Sequence, residues 1–119
     1  MKRILVAALL SLTSLRAFAD GESLLKKCSL VSEPRPVAKT ASAEFILIGQ
    51  CLGMVEGVGN TIAVLGEALP EARLCFTKAH TTKDGVRAVV AFLKNNPKDW
   101  SDSDTGMVMI ALATEYGCG

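Results

Sequence analysis

Four cysteines, one histidine and a handful of carboxylates are the residues of this 119-residue chain with chemistry beyond packing to offer. Cys28, Cys51, Cys75 and Cys118 are too far apart for the C-x-x-C spacing of a zinc knuckle or a thioredoxin-like redox site, and the single His80 is a poor nucleus for a metal cluster. No metal and no cofactor are expected. A nucleophilic hydrolase needs a base beside its serine or cysteine, and if the cysteines are oxidised no thiolate remains for His80 to activate. His80 therefore reads as a loop surface residue or the neighbour of a helix cap. Carboxylate pairs exist, notably Asp102 and Asp104, but their context, "WSDSD", is that of a helix start, where acids favour the macrodipole. The expected protein is not an enzyme.

An even cysteine count in a small exported chain reads as two disulfides, and the first residues supply the export. "MKRILVAALLSLTSLRAFAD" has a basic start at Lys2 and Arg3, an apolar stretch from Ile4 to Leu15 and a small-x-small ending at Ala17-Phe18-Ala19. This is the pattern of a secretory signal, with cleavage expected after Ala19. The remaining residues, 20–119, are the length of one domain. Such a chain buries only about 60 to 70% of its unfolded surface and benefits from covalent staples. Losing Lys2, Arg3 and Arg16 takes Lys plus Arg from 13 to 10 against 12 acids, a net charge of −2. The cations are scattered, which argues against nucleic acid as a partner. Glu56 and Glu67 interrupt the best later apolar stretch, so neither a membrane span nor an anchor is expected. Cleavage would expose Asp20 rather than a cysteine, so no lipid anchor is indicated.

The elements that must position these residues look all-helical. Leu24, Leu25, Cys28 and Leu30 predict a short first helix of about two turns, broken by Pro34 and Pro36. A long helix runs from a cap at Thr40 or Ser42 to Pro70, with Phe45, Ile48, Leu52, Val55, Ile62 and Leu69 recurring at spacings of three, four or seven. A third spans about Thr82 to Lys94, capped by Thr81 or Thr82, with Val86, Val89, Val90 and Leu93 inward. The last runs from about Ser103 to Tyr116, begins at Ser101 or Asp102, and offers Met107, Ile110, Ala111 and Thr114 to the core. Helices three and four are joined by a short proline-containing loop and so run antiparallel, which brings Cys118 towards Cys75. That leaves Cys28 to pair with Cys51, clipping the first helix to the long one. The fold class is thus a small disulfide-stapled all-α bundle of about four helices.

"GQCLGMVEGVG", residues 49–59, is no phosphate loop: the Gly-x-Gly of 57 and 59 is followed by Ile62 where a dinucleotide fingerprint needs glycine, and no Gly-Lys-Ser/Thr exists. Gly49, Gly53 and Gly57 instead form one stripe along a helix. Each costs about 1 kcal/mol relative to alanine, a cost that close helix packing or a homodimer contact would offset. Trp100, the only tryptophan, lies in the polar loop "KNNPKDWSDSD", the residue type enriched at interface hot spots. Lys94, Asn95, Asn96, Lys98, Asp99 and Trp100 are therefore the candidate partner-binding residues. The competing role for Trp100 is a hydrophobic staple folded back onto the last helix near Met107.

"CLGMVEGVGN" resembles the Cys-x-Gly-Tyr-Ile-x-Gly-Val-x-Asp segment of the Rap and Tai immunity proteins of type VI secretion systems. "LLKKC", Cys75, "VRAVVAFLKNNPKDW" and "MVMIALATEYGC" follow in that family's order and approximate spacing, and four cysteines complete the match. Met54 stands where the family usually has tyrosine, Asn60 where it often has aspartate, and Gly117 replaces a proline. The resemblance implies an all-helical, commonly dimeric periplasmic protein that binds a peptidoglycan amidase effector and occludes its active-site cleft. Two expectations of another class stand beside it, a periplasmic acid-stress chaperone and another non-enzymatic periplasmic binding module. The composition permits a chaperone, but such proteins usually carry one disulfide rather than two.

Overall fold

The computed structural model describes residues 21–76, 79–100 and 103–118, apart from the side chain of Asp99. The expected leader and cleavage site, and the possible caps Ser101 and Asp102, lie outside the described residues. Four α-helices are found among those described: α1 (Gly21–Ser32), α2 (Ser42–Ala68), α3 (Thr82–Asn95) and α4 (Asp104–Tyr116). Each connection carries a single 3-10 turn, at Val37–Lys39, Pro70–Ala72 and Pro97–Asp99. The fold is the expected stapled bundle, with all four helices sharing one core of valines, leucines and the first disulfide.

Capping explains most of the boundaries. At the start of α3 the Thr81 hydroxyl accepts from the Asp84 amide while the Asp84 carboxylate accepts from the Thr81 amide, a reciprocal box that satisfies two orphan donors. Ser103 caps α4 by accepting from the Gly106 amide. The cap of α2 differs from both expected residues. Ala41 occupies the position with no side-chain acceptor, Thr40 bonds back to the Pro36 carbonyl, and the Glu44 carboxylate accepts from the Ala41 amide. α1 is longer than two turns because it begins at Gly21, whose amide donates to the Trp100 carbonyl at 2.8 Å.

Burial selects among the apolar residues of each helix. α3 buries Val86, Val89, Val90 and Leu93 as its spacing predicts. α2 buries Cys51, Val55, Val58, Ile62 and Gly66, positions three or four apart on one stripe. Phe45 and Leu69, expected inside, are exposed: helix phase carries Phe45 off that stripe, and Leu69 lies beyond the last turn, where the backbone has left the helix. α4 likewise buries Met107, Val108, Ala111 and Leu112, while Ile110 and Thr114 face outward.

Both expected disulfides are present. Cys28–Cys51 joins α1 to α2 with both residues fully buried, and Cys75–Cys118 joins the segment before α3 to the end of α4. The second junction is reinforced by an isolated antiparallel bridge between Leu74 and Gly117. The Tyr116 hydroxyl donates to the Asp84 carbonyl at 3.2 Å, so the end of α4 lies beside the start of α3, the antiparallel arrangement that the short loop dictates.

The composition of α2 bears on the membrane expectation without overturning it. This 27-residue helix is long and apolar enough by length and composition to cross a membrane, and only 22% of its most apolar window is buried. What fixes α2 here is the buried stripe it shares with α1, α3 and α4, with Cys51 bonded into the core.

Candidate interaction surfaces

The loop from Lys94 to Trp100 is held inward at several points. Trp100 is half-buried, packs against the core, and donates from Nε1 to the Leu93 carbonyl at 2.8 Å. Its other neighbour is Gly21, where a Cβ would stand 2.6 Å from Trp100 Cγ. The ring therefore locks α1 to the end of α3, a staple onto different helices from the one expected. Asn96 donates from its amide to the Phe92 carbonyl, and Lys94 pairs with Glu33 at 3.5 Å. Asn95 and Lys98 are exposed and available to a partner; the Asp99 side chain lies outside the described residues. The candidate residues thus run from the last turn of α3 into the connection after it, and the aromatic among them is turned towards the core.

The glycine stripe is open. An ideal Cβ at Gly49, Gly53 or Gly57 meets nothing within 4 Å. Close packing within the chain does not occur at these positions, because the tight helix contacts of α2 are made by its buried stripe. Gly49 and Gly53 line a shallow hollow with Leu24, Lys27, Met54 and Asp104, and Gly57 lines a second with Thr61, Thr105 and Met109. Ile46 and Val64 flank the stripe and are 64% and 68% exposed.

A third surface was not foreseen from the sequence. Phe76, His80 and Tyr116 form an aromatic cluster at the Cys75–Cys118 end. The Phe76 and His80 rings stack at 4.2 Å, His80 meets Tyr116 edge-on at 4.7 Å, and Phe76 and Tyr116 are 5.1 Å apart. Beside them opens a cleft of about 460 Å³ lined also by Asp84, Arg87, Ala88, Ala91 and Glu115. Arg87 pairs with Asp84 at 3.1 Å. The Thr81 backbone and hydroxyl donors, with Arg87 adding to them, hold the Asp84 carboxyl below its usual range, while burial raises the Tyr116 phenol. The sequence signal was slight: residues 76, 80 and 116 share no helix, and only the disulfide between their neighbours hinted at their meeting.

The scaffold is thus helical and disulfide-stapled, with every described cysteine oxidised and its polar and aromatic clefts at the surface. Comparison with known families gives the kind of protein: the pattern of the Rap1a immunity proteins matches residues 20–118, and the chain belongs to that family. Membership implies a non-enzymatic protein that binds a partner effector. Neither the curated proteins nor the solved structures gave a match.

Proposed function

We propose that this is a periplasmic immunity protein that binds a peptidoglycan amidase delivered by a type VI secretion system and blocks its active-site cleft. The observation that carries the reading is the family match over residues 20–118. Two disulfides suit an oxidising compartment, and a rigid bundle loses little entropy on binding. Oxidation of both cysteine pairs also leaves His80 no thiol to activate. The open α2 stripe, flanked by Ile46 and Val64, is the face we assign to a second copy in a homodimer.

The test is isothermal titration of residues 20–119, oxidised, against the cell-wall amidase encoded nearest to the gene, with cell-wall hydrolysis assayed alongside. Nanomolar binding with loss of hydrolysis is expected. A folded protein that neither binds nor inhibits would refute the amidase assignment.

One observation favours a second reading. Phe45, Ile46, Val64 and Leu65 leave much of α2 apolar and exposed, a surface on which an acid-stress chaperone would hold unfolded clients. That role predicts suppression of client aggregation at about pH 2 to 4, where carboxylates titrate; light scattering of a denatured client at that pH decides it.

A further inference from the structure

We infer that the Cys75–Cys118 bridge is a redox-sensitive clasp. A dithiol reductant opens it while the bundle stays folded around Cys28–Cys51, and the aromatic cleft beside it comes apart.

The two bridges differ in their surroundings. Cys28 and Cys51 lie within α1 and α2, are 0% exposed and belong to the core. Cys75 and Cys118 are exposed, so a thiolate in solution can reach their sulfurs. Access of this kind is what separates labile disulfides from inert ones, because exchange begins with direct attack on one of the bonded sulfurs.

The exposed bridge also joins two stretches that the core does not hold. Among the described residues of 67–84 none is buried, and none is buried in 113–118. The buried residues of α3 begin at Gly85, and those of α4 end at Leu112. Leu74 and Tyr116 pack against the core only from its edge. Across the junction the Cys75 amide donates to the Tyr116 carbonyl at 2.6 Å, the Cys118 amide to the Arg73 carbonyl at 3.2 Å, and the Tyr116 hydroxyl to the Asp84 carbonyl at 3.2 Å. Bonds of this kind, with few buried apolar contacts behind them, belong to the part of a structure that opens locally. The covalent link is what keeps them together.

The exchange balances simply. A thiolate of the reductant attacks the sulfur of one cysteine and breaks the S–S bond, and the other cysteine leaves as a thiolate that takes up a proton. The second thiol of the reductant then resolves the mixed disulfide, so two electrons pass to the protein and the reductant becomes a disulfide. Phe76 follows one cysteine and Tyr116 lies two residues before the other, with their rings 5.1 Å apart. Opening the clasp separates them and removes both from His80. The cleft they line is therefore a surface of the oxidised protein, whatever partner that protein binds.

The chain has one tyrosine and one tryptophan, and they report on opposite ends of α3, Tyr116 through Asp84 and Trp100 through Leu93. The experiment exposes oxidised residues 20–119 to increasing dithiothreitol, traps free thiols with iodoacetamide, assigns them by mass spectrometry, and follows the Tyr116 ring protons and the Trp100 indole N–H by NMR. Cys75 and Cys118 should be released at least about tenfold faster than Cys28 and Cys51. Tyr116 should then move to solvent-like positions while the Trp100 N–H stays in place. A Cys75→Ser/Cys118→Ser double variant should give the same two signals without reductant. Release of all four thiols together, or loss of the Trp100 signal with that of Tyr116 in either sample, would overturn the clasp, since the bundle would then unfold as one unit. Tyr116 signals unchanged once Cys75 and Cys118 are free would overturn the dismantling of the cleft.

Discussion

At the scale of single residues, Trp100 and Gly21 act as one unit. The tryptophan ring lies where a side chain on residue 21 would have to go, with Trp100 Cα 2.7 Å from the ideal Cβ position. Since one contact is with backbone, rotamer adjustment alone cannot relieve it, and Gly21→Ala should destabilise the fold by about 1–3 kcal/mol in urea unfolding. Trp100→Phe keeps a ring but leaves the Leu93 carbonyl without its donor, with an expected loss of about 1 kcal/mol. Amidase affinity unchanged in a folded Trp100→Phe would fit a structural role for the indole N–H. Asp84 gives a pH prediction. Its folded pKa is depressed by the Thr81 donors, so its stabilisation is present above the unfolded value of 3.8 and fades as pH falls through the lower folded value. Acid titration of Asp84→Asn should show a shallower loss of stability than the parent in that window.

At the scale of the element, α2 is the anomaly. Of the five glycines in this one helix, the three of the stripe, Gly49, Gly53 and Gly57, are not required by contacts inside the chain. Gly53→Ala should therefore stabilise an isolated protomer by as much as about 1 kcal/mol, through helix propensity alone. If the stripe is a dimer contact the same change weakens association, because a methyl group holds the two backbones apart. Sedimentation and thermal melts measured over a range of concentrations separate the two effects. A variant that is both more stable and equally dimeric would remove the stripe from the interface. α3 shows the opposite case: a threonine cap, an acid at its third position and a regular valine-leucine stripe agree with one another, and the helix forms where those signals place it.

At the scale of the whole molecule the two disulfides differ in access. Cys28 and Cys51 are fully buried, whereas Cys75 and Cys118 are exposed. Graded reduction followed by alkylation should label Cys75 and Cys118 first, with Cys28 and Cys51 reacting only as the bundle unfolds; mass spectrometry reads the order. The bridges close segments 23 and 43 residues apart in sequence, for which chain entropy gives about 3 to 4 kcal/mol each, a large part of the stability of a domain this size.

The sequence by itself determined the helical class, the four elements to within a few residues, both disulfide pairings and the resemblance to the immunity family. These are local or nearly local properties: period, caps, prolines, and the reversal imposed by a short loop. Tertiary structure alone decided which apolar residues are covered. Phe45 satisfies a helical spacing as well as Val55 does, yet the phase of α2 against three neighbours leaves it outside, and Leu69 is exposed because the helix ends one residue before it. The same holds for the interaction surfaces. Trp100 looked like an exposed anchor because its neighbours in sequence are polar, but its neighbours in space are Gly21 and the Leu93 carbonyl. Phe76, His80 and Tyr116 gave no shared signal, since 36 residues of chain separate His80 from Tyr116 and only the antiparallel return of α4 brings the rings together. Periodicity reports how one helix faces a core; it carries no information on what stands opposite, and that is where the cleft is made.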